Sequence, residues 1–104
     1  MSCRITTTKA ADQDIRDIAS YIAASDPSAA RKFGTELWRT FGIIADSPKA
    51  GRVVPGFGEP LRVVRVSSRF RRYLIFYRVL DETTIEIVRL LHGARDLAAL
   101  LADQ

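Results

Sequence analysis

The stretch "LRVVRVSSRFRRYLIFYRVLDETTIEIVRLLH", Leu61 to His92, decides the fold. It is rich in Val, Ile, Leu, Phe and Tyr and is broken only at "SR" and "DET", so it reads as three strands of an antiparallel meander. In the middle run Phe70, Leu74 and Phe76 share one parity, and Tyr73, Ile75, Tyr77 and Val79 share the other. A strand that is apolar on both parities belongs in the middle of a sheet with both faces covered.

Upstream of this stretch the period changes from two to 3.6. "CRITTT" is short and β-branched and predicts a strand. Thr7 or Thr8 then caps a helix over roughly 9–24, with Ala11, Ile15, Ile18, Ala19 and Ile22 on one face and Asp12 and Asp14 at the positive end. A second helix starts at "SDPSAARKF", where Asp26 is the N-cap and Pro27 takes the first helical position. Ala30, Phe33, Leu37, Phe41 and Ile44 mark its apolar stripe, and "SPKAG" ends it. Two helices so closely joined form an antiparallel hairpin. "GRVVPGFGEP", with three glycines and two prolines, reads as an exposed loop. Beyond Gly93, Asp96 is placed to cap a short final helix carrying Leu97, Leu100 and Leu101. The expected architecture is a single α+β domain over 1–104 in the order β-α-α-β-β-β, a helical hairpin packed on an antiparallel sheet with a short C-terminal helix.

Composition narrows the function classes. The chain has 104 residues, 47% hydrophobic and 27% charged, which is a globular balance for one domain. No apolar run approaches the roughly 20 residues of a membrane span, and the N-terminus lacks the apolar core of a secretion signal. Cys3 stands alone, which allows no internal disulfide and fits a reducing cytoplasm. One cysteine and one histidine are too few for a metal cluster, and no motif calls for a cofactor. The charge is unevenly placed: residues 52–95 hold nine arginines, no lysine and four acids, whereas residues 1–51 hold seven basic and six acidic residues. Arginine is suited to bidentate contact with carboxylate and phosphate, so the basic half is a candidate surface for an acidic partner.

With these elements in place, "IRDIASYIAASDPSAARKF", "LRVVRVSSRFRRYLIFYRV" and "IEIVRLLHGARDL" resemble, in order and spacing, the ParE/RelE superfamily of bacterial toxins, and its ParE-like branch most. The resemblance runs from about residue 12 to residue 97. It implies the toxin of a type II toxin–antitoxin pair, acting in the cytoplasm. Its partners would be a cognate antitoxin, with a DNA-binding N-terminal part and a flexible C-terminal segment, and DNA gyrase as target. Operator DNA would be reached only through the antitoxin. A RelE-like relative would instead cut mRNA on the ribosome, and an inactive homologue would only bind its antitoxin.

The residues favour binding over catalysis. RNA cleavage needs a group to take the 2′-OH proton and another to protonate the leaving oxygen, and arginine's pKa is too high for either. RelE-like toxins rely on lysines in the strand matching "LRVVRV", where this chain offers Arg62 and Arg65. Aligned on Tyr77, Leu74 stands where those toxins have a strand arginine, Arg95 matches their late arginine, and no tyrosine follows Tyr77. His92 is the only imidazole; parity counted back gives it Leu90, Val88 and Glu86 as companions, an apolar face at a strand end before Gly93. His92 and Tyr77 are therefore read as structural, and no catalytic residue is assigned. Contacts with target or antitoxin are assigned to Arg62, Arg65, Arg69, Arg71, Arg72 and Arg95, and to Trp38, which stands off the main stripe of its helix.

Overall fold

The computed structural model describes residues 2–57, 60–93, 95 and 96. In chain order the elements are β1 (Arg4–Thr7), α1 (Lys9–Ser25), α2 (Pro27–Asp46), β2 (Arg52–Val54), β3 (Leu61–Arg65), β4 (Tyr73–Asp81) and β5 (Thr84–His92). They form an α+β fold with a five-stranded sheet in the order β1-β5-β4-β3-β2. The helical hairpin, the meander and the central position of β4 are as the sequence predicts. β1 pairs in parallel with β5, so the sheet is mixed, the other pairings being antiparallel. The expected C-terminal helix lies largely outside the described residues.

One segment departs from the reading. Arg52–Val54, within the stretch whose composition predicts a loop, is an edge strand whose three residues face Val63, Arg62 and Leu61 of β3. The glycines and prolines of that stretch crowd its ends, and Gly56, at φ 92°, makes the turn that only glycine makes without strain. The "RVV" between them keeps its β preference.

Both helices start where side-chain oxygens replace missing helical partners. The Thr8 hydroxyl accepts from the Ala11 N–H at 3.0 Å and donates to the Val88 carbonyl at 2.7 Å, capping α1 and tying it to β5. Asp26 accepts from the Ala29 N–H at 3.1 Å with Pro27 opening α2. Phe33, Leu37, Phe41 and Ile44 then meet Ile75, Tyr77, Ile85, Ile87 and Leu90 in the core between hairpin and sheet. The opposite sheet face holds a smaller cluster of Leu61, Phe76 and Leu91, with Val54, Phe57, Val63, Leu74 and Val88 against it.

A bulge in β5 changes which residues share a face. Phe76 pairs with Arg89, but Tyr77 pairs with Ile87, so Val88 is extra. Leu90 consequently joins Ile85 and Ile87 toward the helices, while Val88 belongs to the other face. Simple parity had grouped Leu90 with Val88 and Glu86; the bulge corrects that grouping.

Two polar tethers fasten the layers. Asp14 accepts from Arg89 Nε at 2.7 Å, from Arg89 Nη2 at 2.9 Å and from the Leu90 N–H at 3.0 Å. This bidentate pair holds α1 against β5 just past the bulge, so Asp14 has a specific partner in addition to its place near the helix start. The Tyr77 hydroxyl, on a fully buried side chain, donates to the Pro48 carbonyl at 2.7 Å and accepts from the Gly51 N–H at 2.8 Å. A Cβ on Gly51 would stand 2.6 Å from that hydroxyl, so the close approach requires glycine.

Tyr77→Phe should leave the Gly51 N–H and Pro48 carbonyl without partners and cost about 1–3 kcal/mol in urea denaturation. Burial raises the Tyr77 phenol above its ordinary 10.0, against the opposing pulls of the Gly51 N–H and the Arg62 charge. The folded protein therefore keeps a proton that the unfolded chain releases. Stability from this source is complete below that ordinary value and is lost as pH rises through the folded value. The alkaline loss should be smaller in Tyr77→Phe. For Asp14→Ala, the expected cost is about 2 kcal/mol, below that of breaking a fully buried pair because the Arg89 and Asp14 side chains are 29% and 14% exposed. An unchanged unfolding midpoint in Asp14→Ala would show that the tether contributes nothing.

Candidate functional site

The open sheet face carries a cavity of about 750 Å³ at the end where β3, β4 and β5 meet the 66–72 connection. Its floor is aliphatic, from Val63 and Leu74, and its cationic groups are Arg52, Arg65, Arg71 and Arg72. Ala50, His92 and Gly93 complete the lining, which among the described residues includes no carboxylate.

Register explains this collection. Arg52 pairs across the ladder with Val63, and Arg65 with Leu74, so these four alternate onto the same face. Arg71 and Arg72 come from a connection shaped by backbone bonds. The Phe70 N–H donates to the Ser67 hydroxyl at 3.1 Å, and the Tyr73 N–H donates to the Phe70 carbonyl at 3.1 Å. The Gly93 N–H then donates to the Arg72 carbonyl at 2.7 Å, joining this connection to the end of β5. A Cβ on Gly93 would lie 3.2 Å from Leu74 Cδ1, so a larger residue would press on the floor.

The remaining arginines assigned from sequence are elsewhere. Arg62 shares its parity with Val64, which packs toward the helices, and its Nη1 donates to the Gly51 carbonyl at 2.7 Å. Arg62 and Arg65 are thus on opposite faces of β3 and do not share one patch. Arg69 lies 5.8 Å over the Phe70 ring and turns toward α2. Arg95 pairs with Asp96 at 3.2 Å. Trp38 is 75% exposed on α2, its ring centroid 6.1 Å from that of the buried Phe41.

His92 is held at the rim. Its backbone N–H donates to Asp96 Oδ2 at 2.9 Å, and its ring stands edge-on to Tyr73 at 5.6 Å. Nδ1 is buried with no hydrogen-bond partner among the described residues. Burial raises the Asp96 carboxyl, but the Arg95 bond, the His92 N–H and the charges of Arg95 and His92 outweigh it and hold the group below the usual carboxylate range.

Arg52 is the site residue that the sequence reading missed. The signal was the β-branched pair Val53–Val54 after it, masked by the surrounding glycines and prolines. Chemically, four guanidinium groups above an aliphatic floor accept a carboxylate or phosphate next to an apolar group. Among the described residues, no group of three or more His, Cys, Asp or Glu side chains is placed to hold a metal ion. No helix among them is long and apolar enough to cross a membrane.

Comparison with known proteins adds two findings. The sequence matches, over residues 5–97, the family described as "ParE toxin of type II toxin-antitoxin system, parDE". The fold is similar to a solved chain of the chromosomal ParDE toxin–antitoxin system from P. aeruginosa, with a TM-score of 0.70 and 17% identity, over 88% of this chain and 97% of that one. No curated protein sequence matches.

Proposed function

The chain belongs to the ParE toxin family of type II toxin–antitoxin systems, and from that premise we propose that it acts in the cytoplasm by binding and inhibiting DNA gyrase until a cognate antitoxin masks it. The observation that carries the binding reading is the cavity, where Arg52, Arg65, Arg71 and Arg72 stand over Val63 and Leu74. Such a surface holds an acidic group beside an apolar one tightly, yet arginine is a poor proton carrier. The one imidazole at its rim is fixed by Asp96 through its backbone and by Tyr73 through its ring, which supports a structural role.

The antitoxin in this reading is a protein whose flexible tail places carboxylates on these arginines and apolar side chains on the floor. Trp38 offers a separate exposed aromatic contact for an antitoxin helix. Backbone pairing at a sheet edge adds a third mode, since β1 and β2 are the outer strands. Arg62 and Arg95, engaged by Gly51 and Asp96, contribute by positioning rather than direct contact. Operator DNA is reached through the antitoxin.

The test is a supercoiling reaction with purified gyrase, plasmid and ATP, with the antitoxin-bound toxin as control. Cleaved plasmid should accumulate with free toxin and not with the complex. The Arg71→Ala/Arg72→Ala double variant should be at least about tenfold weaker with an unchanged unfolding midpoint, as expected for losing charge-assisted contacts. Undiminished gyrase poisoning by that variant would remove the arginines from the interface. Growth arrest with gyrase untouched and mRNA cleaved would replace this reading with the RelE-like one.

A further inference from the structure

A second basic surface lies on the outer side of α2, apart from the cavity. Arg31, Lys32 and Arg39 stand on it, and Arg69 reaches it from the 66–72 connection, giving four cations against the single acid Glu36. Ser28 and Thr35 complete a shallow groove of about 540 Å³. All four cations are exposed, and among the described residues none of them is in a salt bridge. Arg31, Thr35 and Arg39 follow at steps of four, so they form one row about 12 Å long at 1.5 Å per residue.

The lining tells the class of partner. A protein interface centres on buried aromatic or aliphatic anchors, and every side chain lining the groove is cationic, hydroxylic or acidic, the exposed Trp38 standing beside it rather than in it. Arginine, lysine, serine and threonine are among the side chains that contact phosphate oxygens, and such contacts carry no base information. A row of about 12 Å is long enough to meet more than one phosphate of a strand. The cavity has the opposite character, with its aliphatic floor, and suits a protein side chain.

We propose that the α2 groove binds the phosphate backbone of duplex DNA directly and without regard to base sequence. This contact is separate from operator recognition through an antitoxin, and its primary test is DNA binding by the chain alone. Bound beside a DNA-processing target, the toxin would hold the DNA through Arg31, Lys32, Arg39 and Arg69 while the cavity engages protein.

The experiment is fluorescence anisotropy of the full chain with two unrelated 20-base-pair duplexes over a range of salt. Both duplexes should bind with equal affinity, and with four phosphate contacts log K should fall against log salt with a slope of about −3.6. Lys32→Ala/Arg39→Ala removes two exposed cations, so it should reduce the slope by about two and weaken binding about tenfold at low salt, with thermal unfolding unchanged. No binding by the unmodified chain at low salt, or an unchanged slope in the variant, would overturn the proposal. Unchanged DNA affinity in the variant with weakened capture of gyrase would assign the groove to the protein target instead.

Discussion

The buried hydroxyl of Tyr77 holds the turn through which the chain passes from the helical hairpin into the sheet. It sits on the central strand and bonds both to the last turn region of the hairpin, at Pro48, and to the first residue of the return path, at Gly51. A phenol buried in an apolar core must find partners for its hydroxyl. Here the partners are the backbone groups that would otherwise be left open where α2 ends and the chain turns. Gly51 is bound to this arrangement because any Cβ would strike the ring, and Arg62 closes it from the other side by donating to the Gly51 carbonyl. With that turn held, β2 has one direction to run, and it pairs with β3.

From β2 follows the basic cavity. Arg52 reaches the open face because its strand is pinned opposite Val63, and Arg65 reaches it because β3 is registered with Leu74. One residue of slippage in either ladder would send these cations to the helix side, where an unpaired charge is costly. The basic cavity adjoins the turn that the Tyr77 hydroxyl holds, since Arg52 follows Gly51 directly. On the far side, Asp14 performs the matching task for β5, receiving Arg89 and the Leu90 N–H immediately after the bulge.

Charge is divided between two kinds of surface. On the open sheet face the arginines stand over aliphatic floor, a combination suited to an acidic protein segment with apolar residues. Along α2 they stand among hydroxyl groups, a combination suited to phosphate. Arg69, Arg71 and Arg72 leave one short connection in these two directions, Arg69 toward α2 and the other pair toward the cavity.

By itself the sequence determined the two helices, the strands β1, β3, β4 and β5, and the family. Asp26–Pro27, the stripe from Phe33 to Ile44 and the double-sided apolar pattern of β4 are local signals, because capping, helical period and strand alternation act over a few residues. The ordered motifs from "IRDIASYIAA" to "LHGARDL" pointed to the toxin family that the match over residues 5–97 shows. Three features were not legible. β2 was hidden because a three-residue edge strand draws its stability from its neighbour rather than from its own propensity. Which residues share the face of His92 beyond Leu90 was not legible, because a bulge shifts parity by one residue and leaves no mark in composition. The separation of Arg62 from Arg65, and the gathering of Arg52, Arg65, Arg71 and Arg72, were decided only when strands distant in sequence took their register, since which side chains share a surface is a property of pairing and not of the chain alone.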